Sequence, residues 1–272
     1  MNIIRFIFLF VFLLVQQVIL SEQSTEKPMT IIVRSYNNKD WYNRNLDSIL
    51  SQNYTNYRVL YYDDASSDNT GGLVEAYLQT NDPAGKVILI CNQERLYSME
   101  NLYIGACLCE KNEVIVDMDG DDWFFHDDVL SSLNEVYADP DVWMTYGSYI
   151  TYPDNWIGIA SEVPQEVIDQ NIYRNTGGCI SHLRTYYAGL FQKIKKEDLF
   201  YHGNFVTTAQ DVAYIVPMME MGGKHSRYIS KILYVYNRAN PINDDKVDRS
   251  LQWRVDQYIR SQEKYEPIDD FN

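Results

Sequence analysis

Four aspartates fall within six positions of the stretch VIVDMDGDDWF, residues 114–124. Asp117, Asp119, Asp121 and Asp122 follow directly on a β-branched apolar run, and like charges this close are costly unless something neutralises them. Two chemistries use such a cluster. One is a calcium loop, with Asp117, Asp119, Asp121 and Asp128 at positions 1, 3, 5 and 12 of the template. Against it, the sixth position is Asp122 where the sharp turn needs glycine, and the preceding segment reads as a strand rather than a helix. The other is an acidic strand end holding Mg2+ or Mn2+ against a diphosphate, since two carboxylates with phosphate and water form the usual shell of these ions. A purely structural use competes with both. We assign helix capping to Asp127 and Asp128 and chemistry to Asp119 and Asp121; Asp122 suits either.

Strands must deliver those acids to a common edge, and the first half of the chain supplies them. MTIIVR (29–34), YRVLYYD (57–63), KVILI (86–90) and EVIVDM (113–118) read as strands. Helical periodicity covers 40–52, 69–79 and 98–110 between them. Strands separated by helices of this length predict βαβ units in a mainly parallel sheet covered on both faces, an α/β fold in a single domain. Ligands of such sheets lie beyond the carboxyl ends of the strands. The polar clusters RSYNN (34–38), DDASSD (63–68) and CNQER (91–95) should therefore meet the aspartates along one rim. Beyond that, 148–181 is irregular and rich in Pro, Gly and Asn. A helical stretch is expected around 186–199, a helix around 208–221, short strands near 228–236 and a frayed end over the last ten residues.

Composition narrows the partners. The 272 residues carry a net charge of −15, which argues against nucleic acid as the partner. Residues 1–24 hold one cation, Arg5, before an apolar run from Phe6 to Val15. That length suits a signal peptide, or alternatively a signal anchor, and predicts the lumen of the secretory pathway or secretion, with membrane contact only through that segment. Four cysteines are too few for a disulfide scaffold. The sequon Asn53-Tyr54-Thr55 is a weak signal.

The motifs SYNN, LDSILSQNYTNYRVLYYDDASSDNT and DMDGDDW, in this order and spacing, resemble glycosyltransferase family 2 with its GT-A fold, and QDVAYIVPMMEMGG resembles a subset of that family. The resemblance implies one catalytic domain over 28–262, with a nucleotide-sugar half at about 28–147, an acceptor half at about 148–240, and a tail at 263–272. It implies that Tyr36 lines the nucleotide base, that Asp64 hydrogen-bonds uracil, that Asp119 faces the ribose or sugar, and that Asp121 or Asp122 ligates a divalent metal, Mn2+ or Mg2+. Asp211 matches the family's base toward the acceptor hydroxyl, with Gln210 standing where the family has an acid. Arg95 is a candidate phosphate contact, His225 a candidate to complete the metal shell, and His182 a candidate neighbour of the acceptor; each competes with an ordinary surface or capping role. Asp68 reads better as a turn former.

The expectation is an exported enzyme, a hexosyltransferase that uses the metal to move one sugar, with inversion, from a UDP-sugar to a glycan, protein or lipid hydroxyl. The family's Gln/Arg-x-x-Arg-Trp motif of processive synthases is absent from the sequence, which favours single transfer. The alternative is an exported carbohydrate- or calcium-binding module on the same fold without turnover, for which Gln210 is the supporting feature. A nucleotidyltransferase is disfavoured, since no glycine-rich basic phosphate loop lies near the start of the domain.

Overall fold

The computed structural model describes residues 26–176 and 179–271; the proposed signal segment lies outside them. The three leading helices are α1 (Tyr42–Leu50), α2 (Thr70–Asn81) and α3 (Tyr97–Cys107), alternating with β1 (Met29–Ser35), β2 (Tyr57–Asp63), β3 (Val87–Cys91) and β4 (Val114–Asp119). β1 is buried at all seven positions, as a strand covered on both faces must be. The short β5 (Trp123–Phe124) and α4 (Val129–Val136) follow, then β6 (Met144–Tyr152), α5 (Gln165–Gln170), β7 (Ser181–Tyr187) and the single turn α6 (Ala188–Phe191). A two-stranded ribbon of β8 (Phe200–Tyr201) and β9 (Asn204–Phe205) leads to α7 (Gln210–Gly222) and the long β10 (Ser226–Asn237), and the chain closes with α8 (Asp244–Val247) and α9 (Arg249–Arg260).

One eight-stranded sheet in the order β3-β2-β1-β4-β7-β6-β10-β5 organises the molecule. β3, β2, β1 and β4 run parallel, β7 is antiparallel to both β4 and β6, and β6 is parallel to β10. This is the mainly parallel α/β sheet expected from the sequence. The core is rich in tyrosine: Tyr61, Tyr137, Tyr146, Tyr186 and Tyr214 are fully buried or nearly so. Buried phenols need partners, and Tyr61 finds Ser35 Oγ at 3.1 Å while Tyr137 finds Thr185 Oγ1 at 2.9 Å. Among the described residues no helix is long and apolar enough to cross a membrane, and Cys91, Cys107 and Cys109 are free thiols.

Three expectations need correction. The start of the stretch expected to be helical at 186–199 belongs to β7, whose buried, aromatic-rich run SHLRTYY lies in the middle of the sheet; a short run covered on both faces carries no period that separates strand from helix. Asp128 stands at the amino end of α4 without capping it through its side chain. Its carboxylate pairs instead with Lys231 at 2.7 Å and with His126, while Asp127 accepts from Ser51 Oγ at 3.1 Å. Finally, the end of the chain is docked, not frayed. Ile268 N–H donates to the Met221 carbonyl at 2.9 Å, the Tyr265 hydroxyl donates to Asp198 at 2.5 Å, and Phe271 stacks on Tyr187 at 5.0 Å and meets Trp143 edge-on at 5.2 Å.

Phe271 is 9% exposed, so removing its ring opens a hole that the surrounding aromatics only partly fill. Phe271→Ala is expected to cost about 3 kcal/mol, the low end for buried phenylalanine, and to lower Tm by roughly 6–12 °C. A thermal melt with unchanged Tm would show that the tail contributes nothing.

Candidate active site

The carboxyl ends of β1, β2 and β4, together with the loop after β3, form a polar rim, and its loops are tightly constrained. Asn37, Ala65, Asn69, Tyr97 and Ala209 all have left-handed backbone, with φ between 51° and 69°. Such conformations cost of order 1–3 kcal/mol each for residues other than glycine, and they concentrate where geometry matters more than stability. Gly120, between the aspartates, admits no side chain, because a Cβ there would lie 2.8 Å from the Ser35 Cα. This close crossing lets the Gly120 N–H donate to the Arg34 carbonyl at 2.9 Å.

At the β2–β3 side, Tyr36, Asp64 and Arg95 come together. The Arg95 guanidinium lies 3.7 Å above the Tyr36 ring and 4.4 Å from that of Tyr97. Asp64, 4% exposed, accepts from the backbone of Leu96 and Tyr97 at 2.8 and 2.9 Å and from the Asn92 amide at 2.8 Å. It thereby ties the loop after β3 to the end of β2. Arg95 approaches Asp64 at 4.0 Å, so it belongs with the Tyr36 group, two strands away from the β4 acids. Asp68 closes a turn as expected, accepting from Thr70 N at 3.0 Å and Lys39 N at 3.1 Å.

The four aspartates have four different environments. Asp117 is 1% exposed inside β4, ion-paired to Arg34 at 2.5 Å and Arg184 at 3.4 Å and hydrogen-bonded by the Tyr214 hydroxyl. Asp119 shares Arg34, 2.8 Å away, and its side chain is 29% exposed. Asp121 lies on the rim, where Asn240 Nδ2 donates to its carboxylate at 2.8 Å. Asp122 is wholly buried and accepts the Asn237 N–H at 2.7 Å. Burial, then the neighbouring carboxylates of Asp121 and Asp119, push the Asp122 carboxyl well above the usual range. Burial also works against the charge of Arg34, but Asp117 and Asp119 more than restore it and hold the guanidinium charged.

This arrangement counts against the calcium loop. The oxygens of the calcium-loop template do not converge, because Asp117 is enclosed by two arginines and Asp128 is drawn to Lys231. Among the described residues no group of three or more His, Cys, Asp or Glu side chains is placed to cage a metal. The rim offers Asp121 with Asp119 close by in sequence and edge position, a donor set that fits Mg2+ or Mn2+ completed by phosphate and water. His225 is not part of it. Ser226 is in register with Met144, Met144 with Tyr186, and Tyr186 with Ile115, so His225 sits at the opposite, amino edge of the sheet. His225 itself is level with Val114, so along the strand direction alone it is roughly 16 Å from Asp119, at about 3.3 Å per residue. There it stacks on Trp143 at 3.7 Å, and its Nδ1 lies 2.9 Å from the Asp141 carbonyl.

On the other flank of β4, Asp211 occupies the first turn of α7 with its side chain 45% exposed, 3.4 Å from Arg184 Nη2. Arg184 stands opposite Asp117 across the β4–β7 ladder. His182 joins the same group, its Nε2 3.2 Å from Arg184 Nη2 and its ring stacked on Tyr234 at 4.7 Å. A cavity lined by Val163, Cys179, Ile180, Val212, Ile215 and Met219 opens beside Asp211 and Arg184. Arg184 was not anticipated at the site, and Arg34 and Asp117 were expected there only as a member of the rim cluster 34–38 and as the first calcium-template position, not as an ion pair. A charge inside an apolar strand was the available signal for Arg34 and Asp117, since a buried charge demands a partner.

A family model, "Glycosyl transferase family 2", matches residues 30–195. A relative, glycosyltransferase GlyG of Streptococcus pneumoniae, is 23% identical over 176 residues, which cover 62% of this chain and 57% of that protein. The chain thus spans little more than half of that relative's length. Two solved structures share the fold. S. aureus TarS 1–349 in complex with UDP-GlcNAc aligns with a TM-score of 0.57 at 16% identity, covering 78% of this chain and 58% of that one. The mannosyltransferase PcManGT from Pyrobaculum calidifontis, in complex with GDP-Man and Mn2+, aligns with a TM-score of 0.56 at 20% identity, covering 85% and 61%.

Proposed function

The chain belongs to glycosyl transferase family 2, and from that premise we propose that it transfers a single sugar from a UDP-sugar to an acceptor hydroxyl, with inversion and with the help of Mn2+ or Mg2+. One observation carries the reading: Tyr36, Asp64 and Arg95, then Asp119 and Asp121, then Asp211 lie in that lateral order along one sheet edge. A base, a sugar diphosphate and an acceptor laid end to end need that same order.

Tyr36 and Asp64 receive the uracil, and Asp119, oriented by Arg34, faces the ribose. Asp121 holds the metal, while Asp122 is the buried acid that pins the loop to the end of β10. When bound, the metal offsets the negative charge of the departing diphosphate. Asp211 takes the proton of the acceptor hydroxyl as that oxygen attacks the anomeric carbon from the face opposite the diphosphate. The acceptor is a glycan, protein or lipid hydroxyl that approaches beside the α7 cavity. Export through residues 1–24 would place the reaction in the secretory lumen or outside the cell.

Calorimetric titration of UDP with and without Mn2+ tests the donor site. Asp121→Ala is expected to lose at least tenfold in metal-dependent UDP affinity, the scale of one lost charge-assisted contact at about 1.4 kcal/mol or more. Asp122→Asn, which keeps the acceptor oxygen for Asn237 N–H, should retain that affinity. The reverse pattern would exchange the two roles, and Ca2+ binding without any nucleotide effect would favour a binding module instead.

A further inference from the structure

We propose that Arg184 is a positioning residue for Asp211, holding the carboxylate in place for the acceptor from a guanidinium that is itself locked by Asp117, Tyr214 and His182. The inference rests on the reading of Asp211 as the base.

Asp211 has little else to orient it. Among the described residues its Oδ1 accepts only the adjacent Val212 N–H at 3.0 Å, and its Oδ2 meets Arg184 Nη2 at 3.4 Å. An ion pair between two mobile surface side chains would fix nothing. Arg184, however, is immobilised. Its side chain is 7% exposed, Nη1 donates to Tyr214 Oη at 3.1 Å and to Asp117 Oδ2 at 3.4 Å, and Nη2 lies 3.2 Å from His182 Nε2. The planar fork addresses all these groups from one rigid frame, which a single ammonium does not.

His182 completes the lock. Arginine has no acceptor, so Nε2 must accept, and the ring proton resides on Nδ1. Burial, then the charges of Arg184 and Arg34, hold the imidazole well below its usual range, so the ring stays neutral and adds no competing charge. The other oxygen of Asp117 is taken by Arg34, which also holds Asp119. Alternating charges Asp119–Arg34–Asp117–Arg184–Asp211 therefore run unbroken from the donor acid to the acceptor base, and the placement of one end is referred to the other.

A double-mutant cycle tests this. Arg184→Met, Arg184→Lys and Asp211→Asn, singly and combined, are assayed for kcat and donor KM, with active chains counted from the stoichiometry of calorimetric UDP binding. Arg184→Met is expected to lower kcat by about 10- to 100-fold, the range that small misplacement of a catalytic group costs, with donor KM within about twofold of normal. Arg184→Lys, which keeps a cation against Asp117 and guards against a folding failure, should recover part of the loss. In the Asp211→Asn background both substitutions should cost nothing further, because the group they act through is gone. Losses that multiply would show a purely structural role and overturn the proposal. Undiminished turnover in Asp211→Asn alone would instead remove the base reading, and the proposal with it.

Discussion

Asp211→Asn is expected to lower the transfer rate by about 10²–10⁴-fold, the usual contribution of one positioned general base, while UDP affinity stays within about twofold. The amide has the same shape, and its oxygen can still accept from Arg184 Nη2, so the α7 terminus and the charge ladder behind it are kept. What it loses is the capacity to take a proton. UDP binding should be indifferent because Tyr36 and Asp64 lie at the ends of β1 and β2, separated from α7 by β4 and β7 in the sheet. Initial rates with a UDP-sugar and a saturating acceptor, set beside calorimetric UDP titration, read both quantities. Near-normal turnover would sink the assignment, and parallel loss of rate and UDP affinity would point to a collapsed site rather than a missing base.

The donor half was legible because local signals agreed with the global fold. Continuous apolar runs, amphipathic helices between them and polar clusters at each strand end fixed β1 to β4 and their common edge. Tyr36, Asp64, Arg95 and Asp119 all lie where that pattern puts them. The acceptor half was harder for a physical reason. β7 is covered on both faces and only seven residues long, so neither alternation nor helical period is visible in SHLRTYY, and Arg184 within it had no readable direction. His225 was misplaced because its position depends on the register of β10 against β6, a non-local pairing with no local sequence signal. The tail likewise gains its order only from Asp198, Met221 and Tyr187, residues far away in sequence.

The four aspartates show the same division between local and non-local information. Their number and spacing announce a site, yet the division of labour is set by which cations and amides the rest of the fold brings. Two arginines from β1 and β7 absorb Asp117, Arg34 shares its charge with Asp119, Asn240 steadies Asp121, and the Asn237 amide engages the buried Asp122.

That division makes Arg34 the residue whose loss should cost the fold most. Arg34→Met removes a buried guanidinium from Asp117 and Asp119 and from Ser98 Oγ, which it reaches at 2.8 Å. Asp117 keeps Arg184 and the Tyr214 hydroxyl, but that arginine is already shared with Asp211 and sits farther away, at 3.4 Å against 2.5 Å. Breaking one partner out of a buried ion pair typically costs about 3–5 kcal/mol, because the surviving charge stays desolvated. For a chain of this size that is on the order of 10 °C in Tm. Arg34→Lys should fall between the two, since one ammonium cannot span two carboxylates and a hydroxyl as the fork does. Replacing both members, Arg34→Met with Asp117→Leu, should recover only part of the loss, because Asp117 is no longer an orphaned charge while Asp119 and the buried Arg184 each lose a partner. Thermal melts of the three variants decide the matter: a single variant as stable as the parent would mean that Arg184 alone suffices for Asp117, and a double variant no better than the single one would mean that packing around Arg34, not charge, is what the fold depends on.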